Sequence, residues 1–153
     1  MAMSGNGVVS NYFFVTDGAF SSSRNQMGIG LIFINKELDK KILEYSRMYK
    51  GGTNNIAELV AVIVGFKMIK NPINSLTVCT DSEYVIGCAT QGWKRKKNQE
   101  LWKAFDKEYA RVSTLCPNIT WKHVKGHQDD DSELTKWNNY VDKLAVRASH
   151  EVT

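Results

Sequence analysis

Two short apolar runs in this chain share an ending. Phe13-Phe14-Val15-Thr16 gives way at once to Asp17, and Leu76-Thr77-Val78-Cys79-Thr80 to Asp81. Runs that are apolar and β-favouring at consecutive positions, not alternate ones, read as strands buried on both faces. Lying side by side and parallel, they would bring both carboxylates out at one edge of a sheet, where ligands bind in α/β folds. Either aspartate alone also serves as a turn residue or a helix cap. The repetition of the ending favours a shared site.

The remaining pattern fixes the rest of the sheet. After residues 1–10, read as a flexible extension, the strand over 11–16 is followed by strands over Met27 to Ile34 and Ile42 to Tyr49, an antiparallel meander. Gly51-Gly52 breaks it, and Thr53 or Asn54 caps a helix running to about Lys70 before Asn71-Pro72. The second Thr-Asp strand, a helix from Ser82 to about Thr90, a basic connector over Gly92 to Asn98, a helix over Gln99 to Val112, a strand over Ile119 to Val124 and a helix over about Asn138 to Ser149 complete the order β-β-β-α-β-α-α-β-α. This predicts an α/β fold with a five-stranded mixed sheet and helices on both faces, in one domain over 11–150.

Composition excludes other classes. With 153 residues, 42% hydrophobic and 24% charged, the chain is long enough for a single core without disulfides or structural metal. The longest mainly apolar run, Ile56 to Met68, is interrupted by Glu58 and Lys67 and falls short of the ~20 residues of a membrane span. No secretory pattern opens the sequence, and Ala2 stands where myristoylation needs glycine; a cytoplasmic protein without a membrane partner is expected. Cys79, Cys88 and Cys116 have no metal-ligand spacing and read as buried thiols in a reducing compartment. The net charge of +4 is regional: from Gln91 to Lys125 there are 9 Lys/Arg against 3 Asp/Glu, and elsewhere 11 against 13. Trp93 beside Lys94-Arg95-Lys96-Lys97 suits a polyanion, or else a solvated connector.

Two further acids sit in apolar company. Glu58 lies among Ala57, Leu59, Ala61 and Val62, and Asp142 between Val141 and Leu144-Ala145. An acid in such a setting needs a counter-charge or a metal, although Lys143 and Arg147 offer Asp142 an ordinary salt bridge. Four convergent carboxylates without a His or Cys cluster suit Mg²⁺ or Mn²⁺ rather than zinc. His123 and His127 are four apart, but Gly126 and the strand ending near Val124 argue against a helical zinc pair.

Five segments now carry a family resemblance: Thr16-Asp17-Gly18-Ala19, Thr53-Asn54-Asn55-Ile56-Ala57-Glu58-Leu59, Thr80-Asp81-Ser82-Glu83-Tyr84-Val85, Val124-Lys125-Gly126-His127 and Asn138-Asn139-Tyr140-Val141-Asp142-Lys143-Leu144-Ala145. In this order they resemble type-1 ribonuclease H, the bacterial-type family that cuts the RNA strand of RNA–DNA hybrids. The resemblance implies a ribonuclease H-like fold and a phosphodiester hydrolase leaving 3′-hydroxyl and 5′-phosphate ends. It places the metal-binding acids at Asp17, Glu58, Asp81 and Asp142, with two Mg²⁺ ions, or Mn²⁺, bound alongside substrate. His127 matches a loop histidine that assists proton transfer or product release. Asn54 and Asn55 match minor-groove contacts, Thr53 a DNA-phosphate pocket, and Asn138 together with Trp93, Lys94, Arg95, Lys96 and Lys97 is placed with the nucleic-acid contacts. Trp93 reads equally as a core anchor; Trp102 and Trp121 read as core.

Departures from the pattern are also visible. Gly51 stands where many relatives carry an arginine, Glu83 where an amide often follows Asp-Ser, and Gln128-Asp129-Asp130-Asp131-Ser132-Glu133 forms a longer, more acidic loop, read as solvated. A hybrid-binding protein without chemistry, another nuclease of the same broad fold such as a resolvase or integrase core, and a domain of a reverse transcriptase are the competing readings. The complete acid set speaks against the first and the combined motifs against the second, while the flexible start and full final helix favour a stand-alone enzyme, expected to be a monomer with no obligate protein partner.

Overall fold

A computed structural model describes residues 10–125 and 132–152. The stretch to residue 9, Gly126, His127, Gln128 and the acids Asp129 to Asp131 lie outside the described residues. The elements are β1 (Asn11–Ser21), β2 (Gln26–Asn35), β3 (Lys40–Lys50), α1 (Asn54–Lys67), β4 (Ser75–Thr80), α2 (Glu83–Thr90), α3 (Gln99–Leu115), β5 (Asn118–His123) and α4 (Glu133–Ser149). Their order is the one expected. The sheet runs β3-β2-β1-β4-β5, antiparallel through β1, β2 and β3 and parallel from β1 to β4 to β5.

The two Thr-Asp strands are neighbours and parallel, with Val15 opposite Cys79. Only β4 ends at its aspartate, however. β1 continues through Asp17 and Gly18 to Ser21, because each of these residues still pairs with β2, Asp17 opposite Gly30 and Gly18 opposite Ile29. Asp17-Gly18 is therefore not a turn. The hairpin reverses at residues 22–25, with Asn25 at positive φ, and the edge of β1 that loses β4 as a neighbour opens beside Asp17.

Two cores follow from the alternation of side chains across the sheet. Phe14, Leu31, Phe33, Leu76 and Val78 face α1 and α3 and pack with Leu59, Val62, Phe66, Trp102 and Phe105. Val15, Ile32, Ile34 and Cys79 face the other way, toward Val141 of α4. Trp102 is buried as expected, and the half-buried Trp121 packs with Tyr109 against the buried Phe66 and Phe105. All three cysteines are buried free thiols. No helix among the described residues is long and apolar enough to cross a membrane.

Two helix boundaries differ from those expected. α1 stops at Lys67, three residues early, because the Arg111 guanidinium of α3 donates to the carbonyls of Phe66 and Ile69 at 2.7 Å each and so takes up the carbonyls that another turn would use. α4 begins at Glu133, five residues early. Ser132 is its N-cap and accepts from the Thr135 amide at 3.2 Å, so the end of the acidic loop is the start of a helix.

Candidate active site

Four elements deliver four carboxylates to the opening beside β1. Asp17 comes from β1, Glu58 from the second turn of α1, Asp81 from the residue after β4, and Asp142 from the middle of α4. Ligand oxygens of Asp17, Glu58 and Asp81 lie within 4.8 Å of one another. Asp142, on α4 across the sheet, is not among the three at that distance, but its carboxylate acts on Asp17.

Close backbone approach makes this convergence possible. A Cβ on Gly18 would stand 2.4 Å from the Ala57 carbonyl carbon and 2.5 Å from the Glu58 nitrogen, so only glycine allows α1 to lie so near β1. The Gly18 amide then donates to Glu58 Oε1 at 2.6 Å and faces Asp17 Oδ1 at 2.9 Å, holding the two acids to one backbone group. On the other face a Cβ on Gly30 would meet the Val141 carbonyl oxygen at 2.6 Å. Because Gly30 is the β2 partner of Asp17, its missing side chain lets α4 bring Asp142 to that acid.

Burial and like charge act on the cluster together. Asp17 is 3% exposed, and burial, followed by the nearby Asp81 carboxylate, pushes its pKa from 3.8 up to about 8. Glu58 is raised well above the usual carboxylate range, first by burial and then by Asp17 and Asp81. No lysine or arginine forms a salt bridge to these acids among the described residues. Buried carboxylates that repel one another and offer only oxygen donors fit a hard divalent cation.

A pH effect on stability follows. In metal-free protein the folded state holds a proton on Asp17 up to about pH 8, whereas the unfolded chain releases it near 3.8. The folded state thus binds more protons across this window, and its stability falls as pH rises through it. Urea unfolding is expected to show a loss of roughly 2 kcal/mol between pH 6 and pH 9. Millimolar Mg²⁺ should remove most of that loss; an unchanged profile with the metal would count against a cation at this cluster.

The expected nucleic-acid contacts divide into two groups. Thr53, Asn54 and Asn55 are exposed at the start of α1, a few residues from Glu58. Thr53 caps the helix by accepting from the Ile56 amide at 3.1 Å, and Asn54 Oδ1 accepts from the Phe20 amide at 3.0 Å, tying the β1–β2 hairpin to the helix. Lys94, Lys96 and Lys97 are exposed on the connector. Trp93 is 49% exposed, with one side of its indole against Gly87 of α2; it is neither core nor fully presented.

Arg95 and Asn138 require correction. The Arg95 side chain is 29% exposed and turned inward. It donates to the Cys88 carbonyl at 3.2 Å, forks onto Asp106 at 2.7 and 2.9 Å, and lies 4.4 Å from the Trp102 ring centroid. Its guanidinium ties the connector to α3 and is spent on the protein. Arg95→Ala is expected to cost about 1 to 3 kcal/mol through the lost cation–π contact and hydrogen bonds, read as a lower Tm with an unchanged salt dependence of binding. Asn138 is 1% exposed, because the longer α4 carries this position under the helix, and it offers no surface to a ligand.

One residue near the site had no role in the sequence reading. His123, the last residue of β5 and the partner of Thr80, donates from Nε2 to the Asp81 carbonyl at 3.1 Å. Only the β4–β5 register could have placed it there. With Glu83, Ile86, Gln91 and Trp93 it lines a 260 Å³ cavity. Glu83 is exposed in the first turn of α2, where its charge suits the helix dipole.

Comparison with known proteins agrees with this geometry. The family model described as RNase H matches residues 10–150. A protein named ribonuclease H from Trichodesmium erythraeum is 34% identical over 146 residues, covering 90% of this chain and 87% of its own. Among solved structures, the prototype foamy virus protease-reverse transcriptase matches with a TM-score of 0.74 and 28% identity over 94% of this chain and 21% of that one. LC11-RNase H1, crystallised in complex with RNA/DNA hybrid, shares the fold with a TM-score of 0.66 at 22% identity, covering 90% of this chain and 96% of that one. With the sheet order, the five motifs and these relatives in agreement, the chain belongs to the RNase H family.

Proposed function

We propose that this protein is an endonuclease that hydrolyses the RNA strand of RNA–DNA hybrids, with Asp17, Glu58, Asp81 and Asp142 holding two divalent cations, Mg²⁺ or Mn²⁺. The observation that carries the reading is the convergence of three carboxylates, from β1, α1 and the end of β4, with Asp142 of α4 acting on Asp17, near the exposed Thr53-Asn54-Asn55 end of α1. What such cations supply when bound is charge neutralisation at the attacking and leaving oxygens of an in-line displacement, the chemistry that yields 3′-hydroxyl and 5′-phosphate ends.

The chain's own groups do the remaining work. Gly18 and the α1 backbone keep Glu58 and Asp17 in one orientation. His123 holds the Asp81 backbone from β5. The first turn of α1 contains no acid, so its N-terminal amides can receive a backbone phosphate without repulsion. Asn54 and Asn55 are the contacts that read the groove, where 2′-hydroxyls distinguish the strands, and Thr53 belongs to a pocket for a DNA-strand phosphate. Lys94, Lys96 and Lys97 hold the duplex by charge, so binding should weaken steeply with salt. His127, outside the described residues, keeps its proposed part in proton transfer or product release. Residues 11–150 act as a single catalytic domain, as a monomer in the cytoplasm.

End-labelled RNA–DNA hybrid, double-stranded RNA and double-stranded DNA incubated with the protein and Mg²⁺ test this directly. Cleavage confined to the RNA of the hybrid is expected, and an uncut hybrid would reject the reading.

A further inference from the structure

The edge strand β3 carries a patch that the cleavage site does not use. Tyr45, Arg47 and Tyr49 occupy alternate positions, so their side chains share one face of the sheet. It is the face of α1, since Leu31, the β2 partner of Tyr45, belongs to the core beneath that helix. α1 packs across β1 and β2 and leaves Arg47 exposed and the two tyrosines half-buried. The Arg47 guanidinium stands 4.9 Å from the Tyr49 ring centroid, with Tyr45 on the same face of the strand. No salt bridge neutralises it among the described residues. Glu44, the one acid of β3, faces the opposite side, bound to Lys41 and Tyr140.

Strand register places this patch relative to the acids. Arg47 pairs with Ile29, and Ile29 with Gly18, the residue next to Asp17. Two inter-strand steps separate Arg47 from that backbone, about 10 Å. Tyr49 pairs with Met27, and Met27 with Phe20, whose amide is held by Asn54. The patch thus runs from the row of the acids to the row of the proposed groove contacts. A guanidinium already stacked on a tyrosine ring has less freedom left to lose on binding, and its fork matches phosphate oxygens.

We propose that Tyr45, Arg47 and Tyr49 form an additional contact for the phosphodiester backbone of the bound hybrid, extending its footprint across the sheet away from the cleavage site. The proposal rests on the reading that this protein engages RNA–DNA hybrids.

Binding of a fluorescent hybrid in metal-free buffer, over a series of salt concentrations, tests it with wild type, Arg47→Ala and Lys40→Ala. Lys40 is exposed at the other end of the same strand, opposite Asn35, and serves as a charge-matched control. Arg47→Ala is expected to weaken binding about three- to tenfold and to reduce the salt slope by about 1, with Tm unchanged. Lys40→Ala should do neither. Equal affinity and slope for Arg47→Ala and wild type, equal losses in both variants, or no binding of the hybrid by wild type would overturn the proposal. A wild-type protein that binds through Arg47 but fails to cut with Mg²⁺ would reject the enzymatic reading alone.

Discussion

Asp17→Asn is expected to lower the cleavage rate of hybrid RNA by at least about 10³-fold while making the metal-free protein more stable. Asp17 is the member of the cluster that touches every other part of it. It lies beside Glu58 and Asp81, is acted on by the Asp142 carboxylate, and its neighbour Gly18 donates to Glu58. Burial and the Asp81 carboxylate hold its pKa at about 8, which records how unfavourable its charge is without a counter-ion. An asparagine of nearly the same shape removes that charge, so the apo protein should gain roughly 1 to 3 kcal/mol at pH 8 and lose most of its pH dependence. The same variant should be less stabilised by Mg²⁺. Activity close to wild type, or a variant less stable than wild type at pH 8, would contradict the assignment of this acid.

The second large effect is expected from a residue without a side chain. Gly18→Ala adds a methyl group that would meet the α1 backbone at 2.4 to 2.7 Å. Backbone cannot step aside as the end of a flexible side chain can, so β1 and α1 must separate or tilt. Overpacking of this kind costs about 1 to 3 kcal/mol, and a shift of about 1 Å between Asp17 and Glu58 costs about 10² in rate. Gly18→Ala should therefore lower both Tm and turnover with all four acids present, and a folded variant should also bind Mg²⁺ more weakly. Wild-type turnover would show that the approach of α1 to β1 is not what sets the geometry.

Much of this architecture is legible in the residues because apolar periodicity and local capping decide it. The nine elements follow in the expected order, and Asp17, Glu58 and Asp81 were already conspicuous as acids in apolar surroundings. What escaped depends on contacts between distant segments. β1 runs past Asp17-Gly18 because β2 continues to pair with it, and a local reading sees only an ordinary turn dipeptide. α1 stops early because an arginine about 44 positions along the chain from its last residue takes its final carbonyls. Arg95 looks like its lysine neighbours in a basic run, yet Cys88, Trp102 and Asp106 claim it. Asn138 looks like a surface polar residue only if α4 starts at its own position rather than at Glu133.

The gap at Gly30 also has a consequence in time. Asp142 reaches Asp17 only when α4 settles onto the bare stretch of β2, and α4 is the last of the described elements to leave the ribosome. A partly synthesised chain, or one clipped before α4, can bring at most three carboxylates together. Catalytic competence therefore depends on an interaction between segments near opposite ends of the described chain. In refolding, cleavage of hybrid should return with the slowest phase of compaction, after the sheet's own signal has recovered.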